Sequence, residues 1–216
     1  MKKFTGFQKR ILVAVIIICV AVLGYFSAHF VRQQVRNHEF SELLLKTQMV
    51  ALLVDQQDIE QLTGTPEDEI SSVYSSLKKK LIRAKKTITE ADKISLLGLN
   101  ENYEQFYYLT SDLVAQGDYI QPGDINEEAT RKDIADHING ATRLRGPYTS
   151  GTGEWVTTYA PVENESEEVI GLIRIDMQAQ EVMLLGNILF RGMLLIASLT
   201  IFALLMVYIS GARKLE

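Results

Sequence analysis

Cysteine is nearly absent: the 216-residue chain has one, Cys19. No intrachain disulfide is available, so any folded part must be held by its core alone. Histidine is scarce as well. His29, His38 and His137 lie too far apart in sequence to mark a local metal site. The chain has no nucleophile elbow, phosphate-binding glycine loop or dinucleotide fingerprint. Carboxylates are plentiful, yet no pair of them is marked as acid and base. No catalytic residue, metal ligand or cofactor is assigned, and the region is not expected to be an enzyme.

Charge is missing from two long stretches. Ile11 to Phe30 and Gly192 to Ser210 contain no Asp, Glu, Lys or Arg. At 1.5 Å per residue, about twenty apolar residues cross a hydrocarbon core of ~30 Å, and a helix satisfies every backbone amide without water. The first stretch exceeds the ~7–15 residues of a signal-peptide apolar region, which favours a retained membrane helix over a cleaved leader. Lys2, Lys3, Lys9 and Arg10 precede the first span and Arg213 and Lys214 follow the second. Basic flanks stay cytoplasmic, so the expected topology has both termini inside and the middle outside.

The expected organisation is a cytoplasmic N-terminus at 1–10, a first transmembrane helix at 11–30 and an extracytoplasmic domain at 31–182. A juxtamembrane piece at 183–191, a second transmembrane helix at 192–210 and a cytoplasmic end at 211–216 complete it. The location expected is the inner, cytoplasmic membrane, with the lipid bilayer as one partner. Residues 31–182 hold 15 Lys plus Arg against 26 Asp plus Glu, a balance of −11. Such a surface argues against nucleic acid as a partner.

Proline and glycine are missing from Val31 to Leu62, where Val35, Phe40, Leu43, Leu44, Thr47, Val50, Ala51, Val54 and Ile59 recur at helical spacing. The first span is therefore expected to continue outward as one rod, with a stripe that packs on the domain or on a second copy. Gly64-Thr65-Pro66 ends it, and a second amphipathic helix is predicted from Pro66 to about Thr87, with Ile70, Val73, Tyr74, Leu77, Leu81 and Ile82 on one face. Its basic residues from Lys78 to Lys86 read as a solvated face.

Strand patterns follow at Lys93–Leu99 and Gln105–Thr110, joined by a polar turn, and at Glu154–Val162 and Glu168–Asp176, joined by the acidic turn ENESE. Between the pairs, a short helix is predicted from Asn126 to about Asn139. The domain class is α+β: an antiparallel sheet with a long N-terminal helix, helices on one side, and transmembrane helices on both flanks.

GPYTSGTGEWVTTYAPV, a polar turn and VIGLIRIDM resemble the Cache or PDC family of extracytoplasmic PAS-like sensor domains. The family stands at the front of bacterial histidine kinases, diguanylate cyclases, nucleotide cyclases and chemoreceptors. QLTGTPED, the Phe106–Leu109 strand and DYIQPGDINEEAT extend the resemblance over about Gln61 to Met177. It implies a PAS-like sheet, a small-molecule pocket and signal transduction across the membrane, as in two-component systems. It also implies a cytoplasmic output module or partner; either the output lies beyond residue 216 or a separate protein supplies it.

A PAS-like sheet can form a concave pocket with a few convergent polar groups. The residues expected to line it are Tyr107, Tyr108, Tyr119, Tyr148, Trp155, Thr157, Tyr159, Arg174 and Asp176. Aromatic walls would supply contact area, Arg174 would grip a carboxylate, and Asp176 would accept from an amine. Core packing for the aromatics, an internal salt bridge for Arg174, and capping of a helix beginning near Met177 for Asp176 are the structural alternatives. The ligand expected is an amino acid, an organic acid or an amine, bound by a homodimeric receptor. A membrane-anchored scaffold that binds another protein is the second reading.

Overall fold

In the computed structural model, residues 6–112, 119–151 and 153–213 are described. The chain divides into two units, Met1–His38 with Met183–Glu216, and Glu39–Val182.

The first unit holds most of α1 (Gly6–Ala51) and all of the last helix, Leu184–Arg213. Both contain a stretch long and apolar enough to cross a membrane. The two helices touch: a Cβ built on Gly24 would lie 2.7 Å from the Ala197 Cβ. Glycine there permits a backbone approach that no larger residue would, the usual device of helix pairs in lipid. Near one end of the pair the Arg32 guanidinium sits 5.4 Å from the centre of the Phe190 ring. Residues 184–191 of the expected juxtamembrane piece are helical and continuous with the apolar stretch that follows.

In the second unit α1 stops at Ala51, short of the expected rod, and α2 (Gln56–Glu60) restarts after a turn. Val54 and Ile59 are both buried. Five residues apart, they would point about 140° apart on a continuous helix, so burying both requires the break. Asp55 and Asp58 then hold Lys80 at 2.8 and 3.1 Å. Pro66–Ile70 forms a 3₁₀ turn instead of the first turn of a helix, and Ile70, expected on an apolar face, is 92% exposed. α3 (Ser72–Thr87) begins only after Ser71, whose hydroxyl accepts the Tyr74 N–H at 3.0 Å.

The strands are β1 (Ala91–Leu99), β2 (Gln105–Thr110), β3 (Arg143–Ser150), β4 (Gly153–Glu163) and β5 (Val169–Gln178), with α4 (Arg131–Ile138) between β2 and β3 and α5 (Ala179–Val182) after β5; the last helix is α6. They form one antiparallel sheet in the order β2-β1-β5-β4-β3. The last strand thus lies at the centre beside the first, and the domain is α+β with a PAS-like sheet. Four strands match the sequence pattern within two residues at each end. β3, at Arg143–Ser150, is not among the strands that the sequence pattern marks.

Alternation sorts β5 between two faces. Ile173, Ile175 and Met177 join Val156, Leu77, Leu81 and Leu43 in the main core beneath α1, α2 and α3. Leu172 joins Leu97, Tyr107 and Tyr159 in a smaller cluster on the other face, where Arg174 and Asp176 are also buried. That second face is covered by the segment 119–130 and α4, so helices are not confined to one side. α4 begins at Arg131, not Asn126, because Thr130 and Asp133 form a reciprocal capping box. The five preceding residues are thereby left to run across the sheet.

Candidate ligand site

A cavity of about 240 Å³ opens on this second face. β1 contributes Asp92 and Lys93, β3 contributes Tyr148 and Ser150, the turn after it Gly151, and β4 contributes Trp155. Arg174 and Asp176 of β5 form its floor and Glu128 reaches in from the segment before α4. The volume is below the ~300–1,000 Å³ usual for ligand pockets, which fits a compact molecule.

Arg174 is 2% exposed and organises the floor. Its Nε donates to Asp176 Oδ1 at 2.8 Å and its Nη2 to Glu128 Oε2 at 2.7 Å. Nη1 donates to Asn126 Oδ1 at 3.0 Å and to the Tyr107 hydroxyl at 3.2 Å. Burial by itself would lower the Arg174 pKa; the charge of Asp176 and the neighbouring oxygens more than reverse it, so the guanidinium stays charged. Burial would likewise raise the Glu128 carboxyl, but hydrogen bonds from Ser150 and Arg174 hold it below the usual value.

Proton bookkeeping gives the network a direction. A carboxylate only accepts, so Thr157 donates to Asp176 Oδ1 at 2.7 Å. The Thr157 oxygen must then accept from Tyr148, whose hydroxyl lies 2.8 Å away. Tyr107 donates to Asn126 Oδ1 at 3.2 Å while accepting from Arg174. Burial pushes the Tyr107 phenol up to about 12, with the Arg174 charge opposing the rise. Asp176 Oδ1 is thus doubly bonded to protein donors. Its partner oxygen Oδ2 is buried and, among the described residues, accepts no hydrogen bond.

Behind Asn126 the network continues. Asn126 Nδ2 donates to Gln105 Oε1 at 3.1 Å, and Gln105 Nε2 lies 3.3 Å from His137 Nδ1. An amide NH₂ only donates, so Nδ1 accepts and the imidazole carries its proton on Nε2. Burial drops the His137 pKa to about 4. Beside it, Asp133 is enclosed by Arg143 and Arg145 at 3.1 and 3.0 Å. Arg145 also covers one side of Tyr148, 4.1 Å from its ring centre.

Of the nine residues singled out in the sequence, Tyr148, Trp155, Arg174 and Asp176 line the cavity. Thr157 and Tyr107 stand behind it as hydrogen-bonding supports. Tyr159 belongs to the adjoining apolar cluster. Tyr108 packs edge-on to Phe106, 4.8 Å between ring centres, and against the helix-side core. Tyr119 donates to Glu69, away from the cavity. Asp176 caps no helix, because β5 runs on to Gln178. Trp155 spends its indole N–H on Ser150 O at 3.0 Å, which fixes the ring.

Asp92, Lys93, Asn126, Glu128, Ser150 and Gly151 belong to the site without being marked by the sequence pattern. Asn126 and Glu128 fall within the helix that the sequence predicts. The signal that would have freed them is Thr130 followed three residues later by Asp133, a capping box that places the helix start downstream.

No family model and no curated protein matches the chain. Solved structures similar to it include the sensory domain of the Campylobacter jejuni chemoreceptor Tlp3 (13% identity, TM-score 0.49, covering 82% of this chain and 66% of that one). Another is the periplasmic sensory domain of the Campylobacter jejuni chemoreceptor Tlp1 (10%, 0.45, 74% and 61%). A third is an extracellular ligand binding receptor from Desulfohalobium retbaense (12%, 0.45, 78% and 26%). The chain therefore spans less than two thirds of the length of each of these structures. The similarity is one of fold alone.

Proposed function

We propose that the chain is the sensor part of a transmembrane receptor. In this reading the Glu39–Val182 unit lies outside the cytoplasm and binds a small molecule in the cavity over β5. Binding biases the α1 and α6 helices that cross the inner membrane, and a cytoplasmic output module or partner reads the bias. The observation that carries the proposal is the floor of the cavity: a buried Arg174 held by four hydrogen bonds, with one oxygen of the buried Asp176 left without a donor among the described residues. Buried polar atoms are normally satisfied, and convergent polar groups in a concave site are what small-molecule recognition requires.

The connectivity supports signalling. α1 is unbroken from Gly6 to Ala51, and β5, which holds the floor, is followed within a few residues by α6. A ligand shifts such a system only as far as it prefers one arrangement over another. A homodimer is part of the proposal: Leu45 and Met49 lie on one side of the end of α1, Leu52 follows just past it, and the three are 60%, 67% and 84% exposed, an apolar patch suited to a second copy.

Thermal unfolding of the full chain in lipid nanodiscs, screened against amino acids, organic acids and amines, tests the proposal. Ligand at ~100-fold excess over Kd adds about 2.7 kcal/mol, which shifts the midpoint measurably. A chain that no small molecule stabilises, but that captures one protein stoichiometrically through the same face, is a scaffold instead.

A further inference from the structure

We infer that the cavity takes a compact organic cation, an amine without a carboxylate, and that Arg174 is no part of ligand recognition. This rests on reading the cavity as a ligand site.

The first argument is the donor count on Arg174. A guanidinium has five N–H groups in a planar fork, and a carboxylate is gripped by two adjacent ones. Nε is committed to Asp176, both protons of Nη1 to Tyr107 and Asn126, and one of Nη2 to Glu128. One N–H remains, so no fork is left. The residue best suited by type to hold an acid is a fixed internal cation.

The second argument is charge. Arg174 is paired with two carboxylates, Asp176 and Glu128, at 2.8 and 2.7 Å. Lys93 and Asp92, the other charged residues of the wall, offset each other. Among the described residues the wall therefore carries one surplus negative charge, and Asp176, 4% exposed, holds the oxygen that accepts nothing from them. A monocation neutralises that surplus; a zwitterion leaves it unchanged and a carboxylate doubles it. Charge on a buried group such as Asp176 must be paired.

The third argument is the aromatic wall. Trp155 is held by its N–H to Ser150 O, and Tyr148 is covered on one side by Arg145. Of the two, the indole has the better surface for a cation. Ammonium against Asp176 with its alkyl or aryl group against Trp155 uses the groups that the protein leaves available.

The test uses compounds that share a skeleton: isobutylamine, L-valine and isovalerate, and phenethylamine, L-phenylalanine and 3-phenylpropionate. Binding to the full chain in nanodiscs is measured by calorimetry. At least one amine is expected to bind ten-fold or more tightly than its amino acid, and Asp176→Asn is expected to weaken it at least ten-fold. Lys93→Gln, at the partly exposed rim, guards against a misfolded Asp176 variant. Removing a like charge strengthens amine binding, whereas removing a carboxylate partner weakens amino-acid binding. An amino acid or acid that binds as tightly as its amine, or loses affinity in Lys93→Gln, overturns the inference and leaves the small-molecule reading standing. No binding by any of the six compounds overturns both.

Discussion

Thr158 donates its hydroxyl proton to Thr47 across the buried contact between β4 and α1. The two oxygens are 2.6 Å apart and both residues are fully buried. The direction follows from Thr47, which spends its own proton on the Leu43 carbonyl at 2.8 Å. Thr157, one residue away and on the opposite face of β4, bonds Asp176 at the cavity floor. Adjacent residues thus tie one strand to the candidate ligand site and to the N-terminal helix.

The direction predicts an asymmetry. Thr47→Val leaves the Thr158 hydroxyl buried without an acceptor and is expected to cost about 1–3 kcal/mol. Thr158→Val leaves Thr47 bonded to Leu43 and is expected to cost less. The double Val variant is expected to be no less stable than Thr47→Val alone, since replacing both partners by apolar groups of the same shape is nearly neutral. Chemical denaturation of the four proteins checks this; equal and additive losses would refute the assignment of donor and acceptor.

Removing Arg174 leaves Asp176 and Glu128 together with no cation between them. Breaking a buried pair on one side typically costs about 3–5 kcal/mol, and Arg174→Met is expected in that range. Arg174→Lys restores the charge without the fork and is expected to recover only part. Urea unfolding midpoints at neutral pH give the comparison.

His137 makes stability depend on pH. Its pKa is about 4 when folded against an ordinary 6.5, so the unfolded chain binds the proton first. Stability is whole above about pH 6.5 and is lost as the pH falls toward 4, on the order of 3 kcal/mol over the window. His137→Gln keeps a group that can accept from Gln105 but does not titrate. Its unfolding midpoint is expected to lose this component, leaving only the slope that the carboxylates contribute. Parallel slopes in the two proteins between pH 6.5 and 5 would be inconsistent with the buried neutral imidazole.

The helix pair of the first unit is sensitive at one point. Gly24→Ala places a methyl 2.7 Å from the Ala197 Cβ, and overpacking of this kind costs about 1–3 kcal/mol. Ala197→Gly in the same chain is expected to restore the loss. Thermal unfolding in detergent micelles of the single and double variants decides whether the two sites are in contact.

Much of the fold is legible in the sequence because period-two alternation is strong: β2 is found at the residues the pattern marks. The end of α1 is not legible, since no Gly or Pro marks Leu52–Asp55 and the break comes from burying Val54 and Ile59 together. Ile70 is misread for a related reason: its spacing fits a helix, but Asp68 folds back onto Thr63 and Gly64 and makes a tighter turn. In the site, Arg174 and Asp176 are legible as a period-two pair on one strand face. Their partners Asn126 and Glu128 come from a stretch without regular structure, where no periodicity reports which way a side chain points. Tyr108 and Tyr119 were singled out by type alone, and type does not tell one sheet face from the other.

β5 also sets a rule for what the chain can tolerate. Arg174 and Asp176 face one layer while Ile173, Ile175 and Met177 face the other, so a slip by a single residue would exchange the two sets. Deleting one residue within the strand would carry a guanidinium into the hydrocarbon layer and set isoleucines in the polar floor. Lengthening the exposed Asn164–Glu168 turn leaves that alternation untouched. Tags, labels or inserted domains belong in that turn, and the ten residues after it admit substitution only in place.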